Sequence, residues 1–431
     1  MHKIMSVFSS FRQGAWLVAV LLAVALAGCQ PRVYLMPTPA ALRTGEIDPF
    51  AGNPLLEKTN RVQVVYATNR LPVGLPNARA YTILPSDILH LGVATLRIGR
   101  EGSTWEELHK LSTSAKEAER PEIELENLRE VIRLGEDDDI DRLTPEAQAA
   151  FDRLNAVLAQ ARDKDVMVYV HGANNNVYRA TAQAAQYHHF TGRNSVVVTF
   201  AWPSAESLLR YATDVENARL SLPAFARFIE LLARHTKAKN INILAYSAGA
   251  QVVSPGLALV AERAAGETRE AARKRLRLGE VYYAAPDVDF KAFVEHLPRY
   301  IGLVRNVTLS VNMNDTVLEL AAQAHYGASR AGRPDPDELT PEQTRWVIEA
   351  SNRPHFDVIS VEPSDIPQLA RGEHAFWYDN PWVSSDVLIQ FLFHARPAQR
   401  GLTENREKGF VWWTFPTDYD KRVIEVVRKL P

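Results

Sequence analysis

The chain has 431 residues, 46% of them hydrophobic and 23% charged, with a formal net charge of −2. That length accommodates one large α/β domain or two smaller ones, and the near-neutral balance excludes the strongly basic face on which nucleic-acid binding depends. Cys29 is the sole cysteine, which excludes a disulfide within the monomer.

In chain order, Lys3 and Arg12 precede an apolar run from Ala15 to Ala27. A positive segment followed by a short apolar one is the plan of a secretory signal. The run is shorter than the roughly 20 residues that span a bilayer comfortably. It ends in Leu26-Ala27-Gly28-Cys29, which resembles the lipobox of bacterial lipoproteins. The resemblance implies removal of residues 1–28 and lipidation of Cys29. Membrane attachment would follow, since each buried methylene contributes about 0.8 kcal/mol. Gln30 after the cysteine implies sorting to the outer membrane, so the expected location is the bacterial cell envelope, facing the periplasm. Residues 29–60 contain Pro31, Pro37, Pro39, Pro49 and Pro54 with little periodicity, and are expected to form the lipidated N-terminus and a tether.

Residues 61–431 are expected to form the folded domain, with an N-terminal extension over 61–161 and a catalytic core over 162–431. The predicted strands begin with Val62–Thr68, Leu91–Ile98, Val166–His171, Ser195–Ala201 and Asn240–Tyr246. Glu280–Ala285, Asn306–Asn312 and Phe356–Val361 follow. The later ones are nearly continuous apolar runs, as in a parallel sheet covered on both faces. Helical patterns alternate with them. Thr144-Pro145-Glu146 and Thr340-Pro341-Glu342 are start signals, and Ser221 is a candidate cap for the stripe Phe225, Phe228, Ile229 and Leu232. This alternation predicts a right-handed, mostly parallel, doubly wound α/β sheet. The charged, Gly/Pro-poor stretch from Gly102 to Ala161 reads as a helical excursion. Its acidic run at 136–139 lacks the glycine and spacing of a calcium loop.

The strongest chemical signal is Ala245-Tyr246-Ser247-Ala248-Gly249, directly after an apolar strand and before a helix-compatible segment. It resembles the nucleophile elbow, a tight turn whose strained serine demands small residues two before and two after it. A serine nucleophile needs a base in reach and an acid to orient that base, in the order Ser, Asp/Glu, His along this kind of chain. Five histidines follow Ser247, and His374 alone falls in a loop between the last predicted strand and a helix. Asp315, directly after the penultimate strand, is the first candidate acid, and Asp287 remains an alternative that could equally cap a helix. An oxyanion hole would use the N–H groups of Ala248 and Ala173, with Gly172 allowing close approach. His171, Gly172, Trp202 and Tyr246 are expected to line the substrate pocket; Trp377, Tyr378 and Trp382 suggest an aromatic acyl pocket beside them, although such a cluster is more often simple core.

The blocks 170–175, 200–204, 245–249, 284–289 and 374–377 resemble, in the same order, a poorly characterised bacterial family of α/β-hydrolases in the esterase/lipase superfamily. The segment 64–70 is similar to that family's N-terminal strand, so the likeness runs from about residue 61. It implies the α/β-hydrolase fold with Ser247, Asp315 and His374 as the catalytic triad. Tyr246, where His is usual, and Ala248, where Met is common, depart from the family pattern. The expected activity is a metal-independent, cofactor-free serine hydrolase on a small ester or acyl substrate, tied to the membrane through Cys29. No nucleic-acid partner is expected and no protein partner is specified. The alternative is a catalytically inactive, lipid-anchored binding or scaffold protein on the same fold. A metallohydrolase is disfavoured because no His-Glu-x-x-His or comparable spacing occurs.

Overall fold

A computed structural model describes residues 32–114 and 120–429. Cys29 and the signal-like segment lie outside them. Within the described residues, twelve strands form one sheet in the order β1-β4-β3-β2-β6-β5-β7-β8-β9-β10-β12-β11. The strands are β1 Val33–Tyr34, β2 Arg61–Val73, β3 Ala80–Ile98, β4 Glu122–Leu134, β5 Val166–Val170 and β6 Val196–Phe200. They continue with β7 Ile241–Tyr246, β8 Leu278–Ala284, β9 Asn306–Val311, β10 Phe356–Ser360, β11 Thr403–Glu407 and β12 Phe410–Thr414. Strands β2, β6, β5, β7, β8, β9, β10 and β12 run parallel. β3, β4 and β1 extend one edge antiparallel, and β11 closes the other.

The apolar runs explain the centre of this sheet. Every residue of β5, β6, β7 and β8 is buried. Successive side chains point to opposite faces, so Val166, Val168 and Val170 join one hydrophobic cluster while Met167 and Tyr169 join the other. The same division separates Ile243 and Ala245 from Leu244 and Tyr246. Helices cover both faces, as the predicted doubly wound α/β architecture requires.

Three expectations need correction. The stretch from Gly102 to Ala161 is not wholly helical: it contains helix Trp105–Ser112, the long strand β4 and helix Pro145–Gln160. The sequence does not mark β4, because Ile123, Leu128, Ile132 and Leu134 are buried among many charged residues, a pattern too irregular for a clear period of two. β1, β11 and β12 were also unanticipated, being short.

The supposed tether is packed against the domain. Leu35, Met36, Ala40, Ala41, Leu42 and Phe50 are buried. Its backbone is also pinned, with Met36 N donating to Gln186 Oε1 at 3.0 Å and Ala41 N to Ser385 Oγ at 3.1 Å. Prolines signal irregular backbone, and irregular backbone can still pack. Ser221 makes no capping bond, because its hydroxyl donates to the Asn217 carbonyl at 2.7 Å. Thr144 and Thr340 do cap their helices, accepting from Ala147 N and Gln343 N. No helix among the described residues is long and apolar enough to cross a membrane.

Candidate active site

Ser247 stands directly after β7 at φ 51°, in the left-handed region that costs a non-glycine residue about 1–3 kcal/mol. A 3-10 turn Ser247–Gly249 then leads into helix Ala250–Arg263. The turn tolerates no bulk behind it. A Cβ on Gly249 would lie 2.5 Å from the Val170 carbonyl oxygen and 2.7 Å from that of His171. The Asp287 N–H donates to the Ser247 carbonyl at 3.0 Å, fastening the elbow to the loop after β8.

Three loops from distant parts of the chain converge on this serine. The Ser247 hydroxyl donates to His374 Nε2 at 2.8 Å, and His374 Nδ1 donates to Asp315 Oδ2 at 2.6 Å. An ionised carboxylate can only accept, so the proton belongs on Nδ1 and leaves Nε2 free to receive one. Asp315 is wholly buried. Its other oxygen, Oδ1, caps helix Thr316–Ala324 by accepting from Val317 N and Leu318 N, both at 3.0 Å. One carboxylate therefore fixes the helix end and the imidazole together. The His374 loop is anchored by Asn312 Nδ2 donating to the Glu373 carbonyl at 2.9 Å and Thr316 Oγ1 donating to that of Gly372 at 3.2 Å.

Asp287, the alternative acid, is committed elsewhere. It accepts from Arg330 Nε and from the Tyr211 hydroxyl, both at 2.6 Å, and Gln251 Nε2 donates to that hydroxyl at 3.2 Å. Asp289 caps helix Phe290–Tyr300.

The loop after β5 lies against the nucleophile, since a Cβ on Gly172 would come within 2.8 Å of Ser247 Cβ. It is held from behind. Asn174 N donates to Asp214 Oδ2 at 3.3 Å and Asn175 N to Ser204 Oγ at 3.2 Å. The Ala173 N–H, by contrast, has no acceptor among the described residues. Burial raises the pKa of Asp214 above the usual carboxylate range, against the N–H groups that hold it down.

Arg70, wholly buried near the end of β2, ties this loop to its neighbours. Nη2 donates to the Asn175 carbonyl at 2.7 Å, Nε to that of Trp202 at 3.1 Å, and Nη1 to the Thr82 carbonyl and Glu206 Oε1 at 3.2 Å. Desolvation lowers its pKa to about 10, partly offset by Glu206 and Asp214. Neither Arg70 nor Asp214 was anticipated as part of the site, because nothing local in the sequence marks a charge that will be buried.

His171 and Trp202 do not line a pocket. Both are 0% exposed, their rings stacked at 5.2 Å with 8° between planes, and Trp202 Nε1 donates to the His171 carbonyl at 2.7 Å. They form packing beneath the loop. Burial and the nearby Arg70 push the His171 pKa down to about 3, so its ring is neutral at physiological pH. Tyr246 packs 5.4 Å from the His374 ring and 5.7 Å from Tyr378. Trp377 is buried behind them, and Trp382 packs with tilted rings against Phe415 and Tyr419 instead of joining that cluster. No group of His, Cys, Asp or Glu that could hold a metal ion occurs among the described residues.

A mostly parallel sheet, a strained serine at the end of a central strand and a histidine-bearing loop after a later strand define an α/β hydrolase. Residues 146–384 match the family described as "Alpha/beta hydrolase of unknown function (DUF900)", and the chain belongs to it. The matched span encloses Ser247, Asp315 and His374 but begins well after residue 61, leaving Arg70 and β2–β4 outside it. No curated protein is significantly similar to the chain.

Proposed function

We propose that this protein is a serine hydrolase of carboxylic esters, working through an acyl-enzyme. The observation that carries this reading is the hydrogen-bonded run Asp315–His374–Ser247 at 2.6 and 2.8 Å. Ser247 Oγ attacks the ester carbonyl as its proton passes to His374 Nε2. The tetrahedral oxyanion is met by the N–H groups of Ala173 and Ala248, and collapse expels the alcohol, which takes the proton from Nε2. A water then repeats the sequence and releases the acid. Asp315 stays ionised and stabilises the imidazolium.

An apolar surface around the mouth supports a hydrophobic, interfacial substrate. Leu71, Val73, Leu75, Leu84, Leu209, Leu220, Met313, Val317, Leu320 and Tyr326 are exposed. Leu71 and Val73 are among the last residues of β2, Leu84 lies near the start of β3 beside them, and the others follow the C-terminal ends of β2, β6 and β9, the end at which Ser247 stands. Such a concentration marks an interaction surface more than scattered exposure does.

We further propose lipid attachment at Cys29, on the envelope side implied by the lipobox-like segment. Two residues, Gln30 and Pro31, separate it from Arg32, a reach of roughly 10 Å. The described chain begins beside a helix of the catalytic core: Val33 N donates to the Tyr178 hydroxyl at 3.2 Å, and Tyr178 sits at the start of the helix that follows the 172–176 loop.

Labelling of the mature protein by a fluorophosphonate, beside Ser247→Ala and His374→Ala, tests the reading. Labelling that both folded variants lose supports it. A folded wild type that resists even small phosphonates overturns it in favour of a binding role on an inactive hydrolase fold.

A further inference from the structure

A cleft of about 820 Å³ lies far from Ser247. It opens at the first halves of β2 and β6, whereas Ser247 follows the last residue of β7. Its floor comes from three adjacent strands, with Val65 of β2, Val93 of β3 and Val131 of β4 only partly covered. Its wall is helix Pro145–Gln160, which presents Ala150, Leu154 and Val157. Val157 is 42% exposed. Helix and sheet thus face each other with apolar side chains and leave the gap unfilled, at a size ordinary for a small-ligand site.

The charges around this gap have one sign in excess. Arg61, Arg129, Arg153 and Arg193 line it, against Glu57 as the only acid. Arg61 is engaged by Glu101 and Glu126. Arg129 and Arg153 are exposed, and neither has a carboxylate partner among the described residues. Arg193 is 8% exposed, and its Nη2 has no hydrogen-bond partner there. Buried guanidinium N–H groups are ordinarily satisfied, so the inner end of the cleft is short of an acceptor.

We propose that this cleft is a second, non-catalytic binding site for a long-chain fatty acid, the chain lying between helix and sheet and the carboxylate meeting Arg129 and Arg153. The site does not depend on the hydrolase reading.

The test is displacement of a fluorescent fatty acid from the full mature protein, using the carboxylates from eight to sixteen carbons and the matching alcohols. Affinity is expected to rise up to about fourfold per added methylene until the cleft is full, with each alcohol weaker than its acid. Arg129→Glu with Arg153→Glu, both on the surface, should weaken the acids at least tenfold and leave the alcohols nearly unchanged. Ala150→Trp should block both classes. Blocking Ser247 with a phosphonate should leave binding intact. Binding abolished by that block, or surviving the double charge reversal at wild-type affinity, overturns the proposal.

Discussion

Replacing Arg70 by lysine keeps the charge and removes the planar fork. In the native protein that fork donates to the carbonyls of Asn175, Trp202 and Thr82 and to Glu206, at 2.7 to 3.2 Å. A lysine ammonium is a compact point on a flexible stem and cannot span carbonyls from three loops. Two of these charge-assisted bonds would be lost, at roughly 1.5–3 kcal/mol each, so Arg70→Lys should lose about 3–6 kcal/mol of stability. For a domain of this size that corresponds to a fall in Tm of roughly 4–7 °C. The chemical consequence should be larger than the thermal one. The Asn175 carbonyl belongs to the loop that carries the Ala173 N–H against Ser247, and a misplacement of about 1 Å in such a group typically costs on the order of 100-fold in rate. The assay is the second-order rate of fluorophosphonate labelling, with kcat and KM for a short ester, at a temperature where both proteins are folded. The expected pattern is a fall in kcat and in labelling rate with KM little changed, and Arg70→Met should be worse on both counts. A folded Arg70→Lys that labels at the wild-type rate would refute the view that Arg70 positions this loop.

Asp315→Asn should preserve the helix cap, because the amide oxygen still accepts, while lowering kcat about 10⁴-fold by allowing the wrong imidazole tautomer. Asp287→Asn should do the opposite, costing about 3–5 kcal/mol through the buried Arg330 left unpaired while labelling persists; thermal melts beside labelling separate the two. Gly249→Ala should be insoluble or strongly destabilised, since its Cβ would meet two backbone carbonyl oxygens within 2.7 Å, and soluble yield with a melt reports it. His394 supplies a pH test. Burial lowers its pKa, but hydrogen bonds to Asp165 and Glu280 outweigh this and raise it to about 9. A folded-state pKa above the unfolded value near 6.5 gives stability that is complete below pH 6.5 and lost as pH rises through 9. The ceiling is about 3 kcal/mol, reduced by solvent screening at a site still partly open. His394→Asn, which suits the left-handed backbone there, should melt lower than wild type at pH 6 and match it at pH 10; an equal deficit at both would defeat the linkage.

The sequence by itself determined the centre of the molecule. The runs of β5 to β8 announce parallel strands because they are apolar at nearly every position, Thr199, Asn242 and Glu280 apart, and that property is local. The elbow was equally legible, since the steric demand on residues 245 and 249 follows from the turn alone. Hydrophobic period could not identify β4, whose buried residues are spaced irregularly among charges, nor show that residues 35–50 pack down.

The partners of Ser247 lay further from reach. His374 is 127 residues away and Asp315 is 59 residues before His374. Asp287 and Asp315 both follow strand ends and look alike locally. Only the tertiary structure separates them, because it delivers Arg330 and Tyr211 to one carboxylate and His374 to the other. Arg70 and Asp214 carry the same lesson: whether a charge is buried, and which loops it then holds, is decided by what the rest of the chain brings to it.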